Sequence, residues 1–128
     1  LIELRRCLTL YPNDEICELV RQERIHDRRA LLDALAEQGV AVGGDAEDAG
    51  GFSEELADAI HIFLARTASA LVVLQAEDLA GMADPVNVPG TSDEHANWQR
   101  KMCTDLAEVF ARERIQLLLQ RVSAARHG

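Results

Sequence analysis

The chain has 128 residues, of which 48% are hydrophobic and 27% charged, and this composition favours one compact globular domain over a disordered chain. Its 22 acidic residues outnumber its 13 basic ones, which argues against binding to nucleic acid or to an anionic membrane surface, because both require clustered Lys and Arg. No apolar run comes near the roughly 20 residues that a membrane-spanning helix needs.

The first forty residues predict one long helix after a short apolar segment. Residues 1–10 are apolar with two interleaved arginines, and a Tyr-Pro-Asn-Asp sequence then interrupts them. Asn13 or Asp14 is suited to cap a helix that runs from Asp14 to Gln38, and Gly39 provides its stop. The middle of this helix is densely charged, which is typical of a solvated face with acidic side chains set against the arginines.

A flexible linker is predicted at about 41–51, because this stretch is rich in Gly and acidic residues. It lacks the lysine of a phosphate-binding loop.

Ser53 is expected to cap a second helix. His61 is expected at the surface or at the boundary of the core, off the inward face of this helix. That inward face is predicted to consist of Leu56, Ala59, Ile60, Phe63 and Thr67.

The one convincing strand is predicted at residues 70–75, a continuous apolar run of the kind found in strands buried on both faces. About one helical turn is expected over residues 77–81. A lone buried strand would leave its backbone donors and acceptors unpaired. Either residues 1–10 pair with it, or further strands lie outside this chain.

The last third of the chain is predicted to contain an irregular stretch and a terminal helix. Residues 82–99 include two prolines and a glycine and are expected to be a loop. A final helix is predicted from about Thr104 to Ala125. The residues expected to point inward from it are Leu106, Val109, Phe110, Leu117, Leu118 and Val122.

The three cysteines, Cys7, Cys17 and Cys103, are odd in number and show no Cys-x-x-Cys spacing. They favour neither a disulfide framework nor a zinc site. We interpret them as reduced thiols, which predicts a cytoplasmic protein.

The most informative motif lies in the irregular stretch. It reads Asn87-Val88-Pro89-Gly90-Thr91-Ser92-Asp93-Glu94-His95-Ala96-Asn97-Trp98-Gln99-Arg100-Lys101. This sequence resembles the C-terminal signature of the amylomaltase family of 4-alpha-glucanotransferases, N-[LIV]-P-G-T-x-[DE]-[EQ]-[YH]-P-N-W-R-x-[KR]. It departs from the signature at Ala96, where the family usually has Pro, and at Gln99, where it usually has Arg. The segments 28–39 and 74–81 resemble the family in the same order, so the resemblance covers essentially the whole chain.

The resemblance implies a fold and an activity. It implies a mainly helical fragment with one or two strands over residues 1–128, the C-terminal part of a (β/α)8 TIM barrel. The reaction implied is the retaining transfer of alpha-1,4-glucan segments between maltooligosaccharides or starch chains, without metal or organic cofactor. A full barrel takes about 250 residues. In the family the catalytic carboxylates precede the matched region, so this chain is expected to contain no catalytic residue and to be inactive alone.

By the same resemblance, Asn87 and Pro89 are the expected substrate-binding residues. Asn87 would lie where the family's loop reaches the sugar-binding cleft, and its amide can donate to and accept from glucose hydroxyls. The competing interpretation is that Asn87 only caps a turn. Pro89 would shape the loop. Trp98 is expected to anchor the loop by packing, with stacking on a sugar as the alternative.

The acidic pairs of this chain are poor catalysts on geometric grounds. Glu77-Asp78 and Asp93-Glu94 are each adjacent in sequence. Adjacent side chains point to opposite faces of a strand and lie about 100° apart on a helix. They therefore do not form the opposed carboxylates, about 5–5.5 Å apart, that a retaining glycosidase needs.

Two other functions remain open. The first is a non-catalytic helical interaction module that self-associates into a homo-oligomer, because apolar helix faces and an unpaired strand would be buried between copies. The second is a carbohydrate-binding module without catalysis. Such a module needs several exposed aromatic residues, and this chain has one Trp and one Tyr.

Overall fold

The computed structural model describes residues 1–40 and 52–127, so the linker predicted at about 41–51 lies outside the described residues. The described part of the chain divides into two compact units. One comprises Leu1–Leu31 and Ala83–Lys101, and the other Leu32–Met82 and Met102–Gly128. That residues 1–128 form one piece of a larger domain stays a prediction. The helices are α1 (Ile2–Cys7), α2 (Asp14–Glu37), α3 (Glu54–Ala65), α4 (Ala76–Leu79), α5 (Leu106–Ala111) and α6 (Glu113–His127).

The short helix α1 rules out the strand pairing considered for residues 1–10. Two residues after Cys7, its C-terminus is closed by Thr9, whose φ of 54° is in the left-handed region. The Thr9 backbone N–H donates to the Arg6 carbonyl at 3.0 Å, and the Leu10 N–H donates to the Arg5 carbonyl at 2.9 Å. These two bonds form the Schellman arrangement that closes a helix C-terminus.

Helix α2 confirms the prediction of a long helix, including both of its ends. The Asn13 Oδ1 accepts the Ile16 N–H at 2.9 Å, which caps its first turn. At the other end Gly39 has a φ of 63°. Its N–H bonds the Ala36 carbonyl, and the Val40 N–H bonds the Leu35 carbonyl, both at 2.9 Å. A second Schellman closure therefore stops α2.

The charged middle of α2 is solvent-exposed, as predicted. Residues 22–27 are all exposed. Arg24 pairs with Asp27 one turn later at 3.3 Å, and Arg21 pairs with Glu3 of α1. Exposed pairs of this kind contribute little to stability, because solvent and salt screen them. The run is a solvated helix face that adds little to the stability of the first unit.

The core of the second unit is built where α3 packs against α6. Ser53 caps α3 as predicted, since its Oγ accepts the Leu56 N–H at 3.2 Å. The buried face, however, is rotated from the predicted one, because Ile60, Phe63 and Thr67 are only half-buried. The residues that α3 buries are Leu56, Ala57, Ala59, His61, Ile62 and Ala65. Apolar residues surround much of α3, so the sequence alone could not identify the face that α6 covers.

The prediction for His61 is wrong. Its side chain is 92% buried, since only 8% of its surface is exposed. Nδ1 lies 2.7 Å from the Ala57 carbonyl on the preceding turn of α3. This bond satisfies one ring nitrogen within the helix, which lets a histidine occupy the buried face without a polar partner from another element.

The predicted strand at residues 70–75 is also wrong. Within residues 1–40 and 52–127 the structure contains no strand. The segment has no regular secondary structure, with Leu71 and Val73 exposed at 76% and 72% and Val72 and Leu74 half-buried. Its sequence has the pattern of a buried strand, but no described segment pairs with it. The turn of helix predicted after it is confirmed as α4.

The terminal helix is broken where a single helix was predicted. Asp105 caps α5, its Oδ1 accepting the Ala107 N–H at 2.9 Å. Arg112 then adopts an extended ψ of 127° before α6 begins. Because Arg112 is not helical, α5 and α6 do not share one continuous apolar face. Of the residues predicted inward, Val109, Leu118 and Val122 are buried, whereas Leu106, Phe110 and Leu117 are exposed.

In the part of the chain that the structure describes, no helix is both long enough and apolar enough to cross a membrane.

Candidate functional site

The loop that carries the signature sequence lies in the first unit and has no helix or strand from residue 83 to 101. Its shape is therefore set by turns and side-chain bonds, which makes each bond between its two arms important. We define the first arm as residues 84–88 and the second arm as residues 97–100.

Asn97 is the centre of the loop's hydrogen bonds. Its Oδ1 accepts the Val88 N–H at 2.8 Å, which joins the two arms. Its Nδ2 donates to the Thr91 Oγ1 at 2.8 Å and lies 3.3 Å from the Thr91 carbonyl. The Thr91 hydroxyl in turn donates to the Val88 carbonyl at 2.7 Å. Val88 is fully buried beneath this network. A side-chain amide can both donate and accept, so Asn is suited to this bridging position.

Trp98 does not anchor the loop by packing, contrary to the prediction. Its side chain is 73% exposed. The contact it contributes is its backbone N–H, which donates to the Val86 carbonyl at 2.8 Å. Trp98 also has a φ of 61°, a region that is rare for bulky residues. The loop is anchored instead by the buried Val88 and by the Asn97 side chain.

Asn87 lies between two residues that are both bound to the second arm. Val86 accepts from the Trp98 N–H, and Val88 donates to the Asn97 side chain. Asn87 is half-buried. Asn87 therefore lies on a piece of backbone that is hydrogen-bonded to the second arm on both sides.

The rest of the loop is closed by two further features. The Arg100 guanidinium donates to the Asp84 carbonyl, which joins the ends of the two arms. Pro89 is exposed, and Gly90 has a φ of 93°. A Cβ at Gly90 would meet Leu10 Cδ2 at 3.5 Å, an ordinary contact, so its backbone conformation rather than space requires glycine.

The loop carboxylate of Glu94 is held in its ionised form. Its Oε2 accepts the Ser92 N–H at 2.8 Å. This backbone hydrogen bond lowers the pKa of Glu94 from its ordinary value of 4.5. A general acid in glycoside hydrolysis needs the opposite shift. The pKa shift of Glu94 is therefore opposite to the one that a general acid needs.

A second carboxylate, Asp58 on α3 in the second unit, has a pKa raised from its ordinary value of 3.8. Burial is the main cause, and Arg114 opposes it. The Arg114 Nη1 lies 2.5 Å from Asp58 Oδ1, and its other nitrogens reach Glu54 at 3.4 Å and the Leu79 carbonyl at 3.3 Å. Arg114 therefore joins α6 to α3 and to the end of α4. This arrangement is a structural ion pair, since a carboxylate bound by an arginine is not free to act as an acid.

The described residues were also searched for a metal site and for disulfides. No group of three or more His, Cys, Asp or Glu in residues 1–40 and 52–127 could hold a metal ion. The three cysteines are free thiols, with Cys17 buried and Cys7 and Cys103 exposed.

The roles of Asn97 and of the pair Asp58–Arg114 were not predicted from the sequence. Asn97 stands inside the signature next to Trp98, so its position in the motif was the available signal. The ion pair joins residues 56 positions apart. Such a separation has no periodic signature in one sequence.

Comparison with known proteins identifies one enzyme family. A family model described as 4-alpha-glucanotransferase matches residues 11–106. A 4-alpha-glucanotransferase of Haemophilus influenzae is 29% identical over 118 residues, which cover 90% of this chain and 17% of that protein. Those of Mycobacterium bovis and Mycobacterium tuberculosis are 31% identical over 130 residues, covering 97% of this chain and 17% of each protein. The chain thus spans about 17% of the length of these curated relatives.

Proposed function

This chain belongs to the 4-alpha-glucanotransferase family, and from that premise we propose that it is the C-terminal portion of a retaining enzyme. That enzyme transfers alpha-1,4-glucan segments between maltooligosaccharides or starch chains. The observation that carries the proposal is the family match over residues 11–106, which includes the whole signature loop. The barrel of such an enzyme would be completed by residues outside this chain, since a (β/α)8 barrel takes about 250 residues.

The reaction needs two carboxyl groups about 5–5.5 Å apart, one as nucleophile and one as acid and base. We assign both to the part of the enzyme that precedes this chain, so the 128-residue chain alone is inactive. The lowered pKa of Glu94 supports this for the general acid, and the ion pair of Asp58 with Arg114 supports it for Asp58. The free cysteines support a cytoplasmic location, where thiols stay reduced.

The contribution of this chain is to form part of the wall of the glucan-binding cleft. Asn87 contacts glucose hydroxyls through its amide, and Pro89 fixes the direction of the loop after it. The proposal for Asn87 is supported by its fastened backbone, because a hydrogen-bonding group held in place loses little freedom when a ligand binds. The turn-capping alternative for Asn87 predicts that its loss lowers stability and leaves the affinity for glucans unchanged.

The test is an assay with maltotriose of this chain and of the longer protein that carries it. The longer protein is expected to release glucose and form longer maltooligosaccharides, and the chain alone to do neither. Asn87→Ala in the longer protein should lower kcat/KM about 10-fold, the effect of losing roughly one hydrogen bond to substrate. Gln99→Ala, an exposed position on the same loop, is the matched control and should leave kcat/KM unchanged.

Two results would contradict this function. Disproportionation by the 128-residue chain would require a nucleophile among its own acids. A longer protein that folds and does not process maltotriose would remove the proposed reaction altogether.

A second function, a self-associating interaction module, is favoured by one observation. Leu71 and Val73 are each more than 70% exposed, on a segment that pairs with no strand among residues 1–40 and 52–127. Extended segments with exposed apolar side chains and unpaired backbone are suited to pairing with another chain. This alternative predicts association of the chain with itself and no role for Asn87.

A further inference from the structure

We draw no further inference here: the strongest candidate, the exposed apolar surface patch of Leu71 and Val73 on the segment between α3 and α4, carries none, because nothing in the structure shows what covers it.

Discussion

Two helix ends in the first forty residues use the same left-handed closure with different residues. Thr9 closes α1 at a φ of 54°, and Gly39 closes α2 at a φ of 63°. Glycine adopts this region freely, whereas a residue with a Cβ is strained there by about 1–2 kcal/mol. Replacing Thr9 by glycine and replacing Gly39 by alanine should therefore change the stability of the chain in opposite directions.

Thr9→Gly should stabilise the chain by up to about 1 kcal/mol, because relief of strain exceeds the added entropy of the unfolded chain. Gly39→Ala should destabilise it by about 1 kcal/mol. No atom lies within 4 Å of a Cβ built at Gly39, so that cost would come from the backbone alone. Urea denaturation measures both changes. Two shifts of the same sign would show that strain does not control these closures.

Two carboxylates predict opposite dependences of stability on pH. Folding lowers the pKa of Glu94 through the Ser92 N–H, so its contribution is present above pH 4.5 and lost as the pH falls through its folded pKa. Burial raises the pKa of Asp58, so its contribution is present below pH 3.8 and lost as the pH rises through its folded pKa.

Replacing each carboxylate by its neutral amide isolates its contribution to the pH dependence of stability. As the pH rises between about 3 and 6, parent protein should gain stability relative to Glu94→Gln and lose stability relative to Asp58→Asn. Thermal midpoints across this range measure both differences. Parallel pH profiles for the two variants would contradict the assigned environments.

At the scale of elements, the last turn of α6 is joined to the chain after α3 by one arginine. The Arg126 guanidinium donates to the carbonyls of Thr67 at 3.1 Å, Ser69 at 2.6 Å and Ala70 at 3.3 Å. It also lies 3.5 Å from the Ala65 carbonyl. Arginine suits this position because its planar fork carries five donors, whereas lysine has a compact ammonium group.

Arg126→Ala should cost about 1.5–3 kcal/mol, the usual range for hydrogen bonds that involve a charged group. Arg126→Lys should recover less than half of the loss, because one ammonium cannot span these carbonyls. The amide hydrogens of residues 66–70 should exchange faster in both variants. Arg121→Ala, an exposed arginine on the same helix, is the control. Full recovery by lysine would show that charge alone matters.

Elements controlled by local chemistry were predictable from the sequence, and those controlled by distant contacts were not. The caps at Asn13 and Ser53 and the stop at Gly39 depend on residues a few positions away, so their signals are in the sequence itself. The strand at residues 70–75 depended on partners that the described chain does not provide. The face buried on α3 depended on the position of α6, and the break at Arg112 has no proline or glycine to announce it.

The candidate site divides in the same way. Asn87 and Pro89 were selected because a long signature is readable in one sequence. Its internal bonds were not readable, because the Asn97 amide could bind several partners within reach of a flexible loop. The exposure of Trp98 was mispredicted, since aromatic residues in ordered loops are more often packed than presented.

At the scale of the whole chain, the composition combines a strongly acidic surface with exposed apolar side chains. The net charge of −9 favours solubility and opposes the approach of a second copy. Leu71, Val73 and Leu117 each expose more than half of their side chains and favour it. The chain is monomeric if charge repulsion between copies exceeds the attraction between exposed apolar side chains. Salt weakens the charge repulsion and leaves the apolar attraction in place.

We therefore expect self-association of the 128-residue chain to increase with salt, because screening weakens repulsion between acidic copies and leaves apolar contacts intact. The double variant Leu71→Lys and Val73→Lys should shift sedimentation towards monomer at every salt concentration, since charged residues on an extended edge oppose strand pairing. Gln120→Lys, which adds charge at an exposed position on α6, serves as the control for charge alone. Equal effects of the control and the double variant would exclude the 70–75 segment as the contact. A chain that stays monomeric in high salt would refute the self-association module.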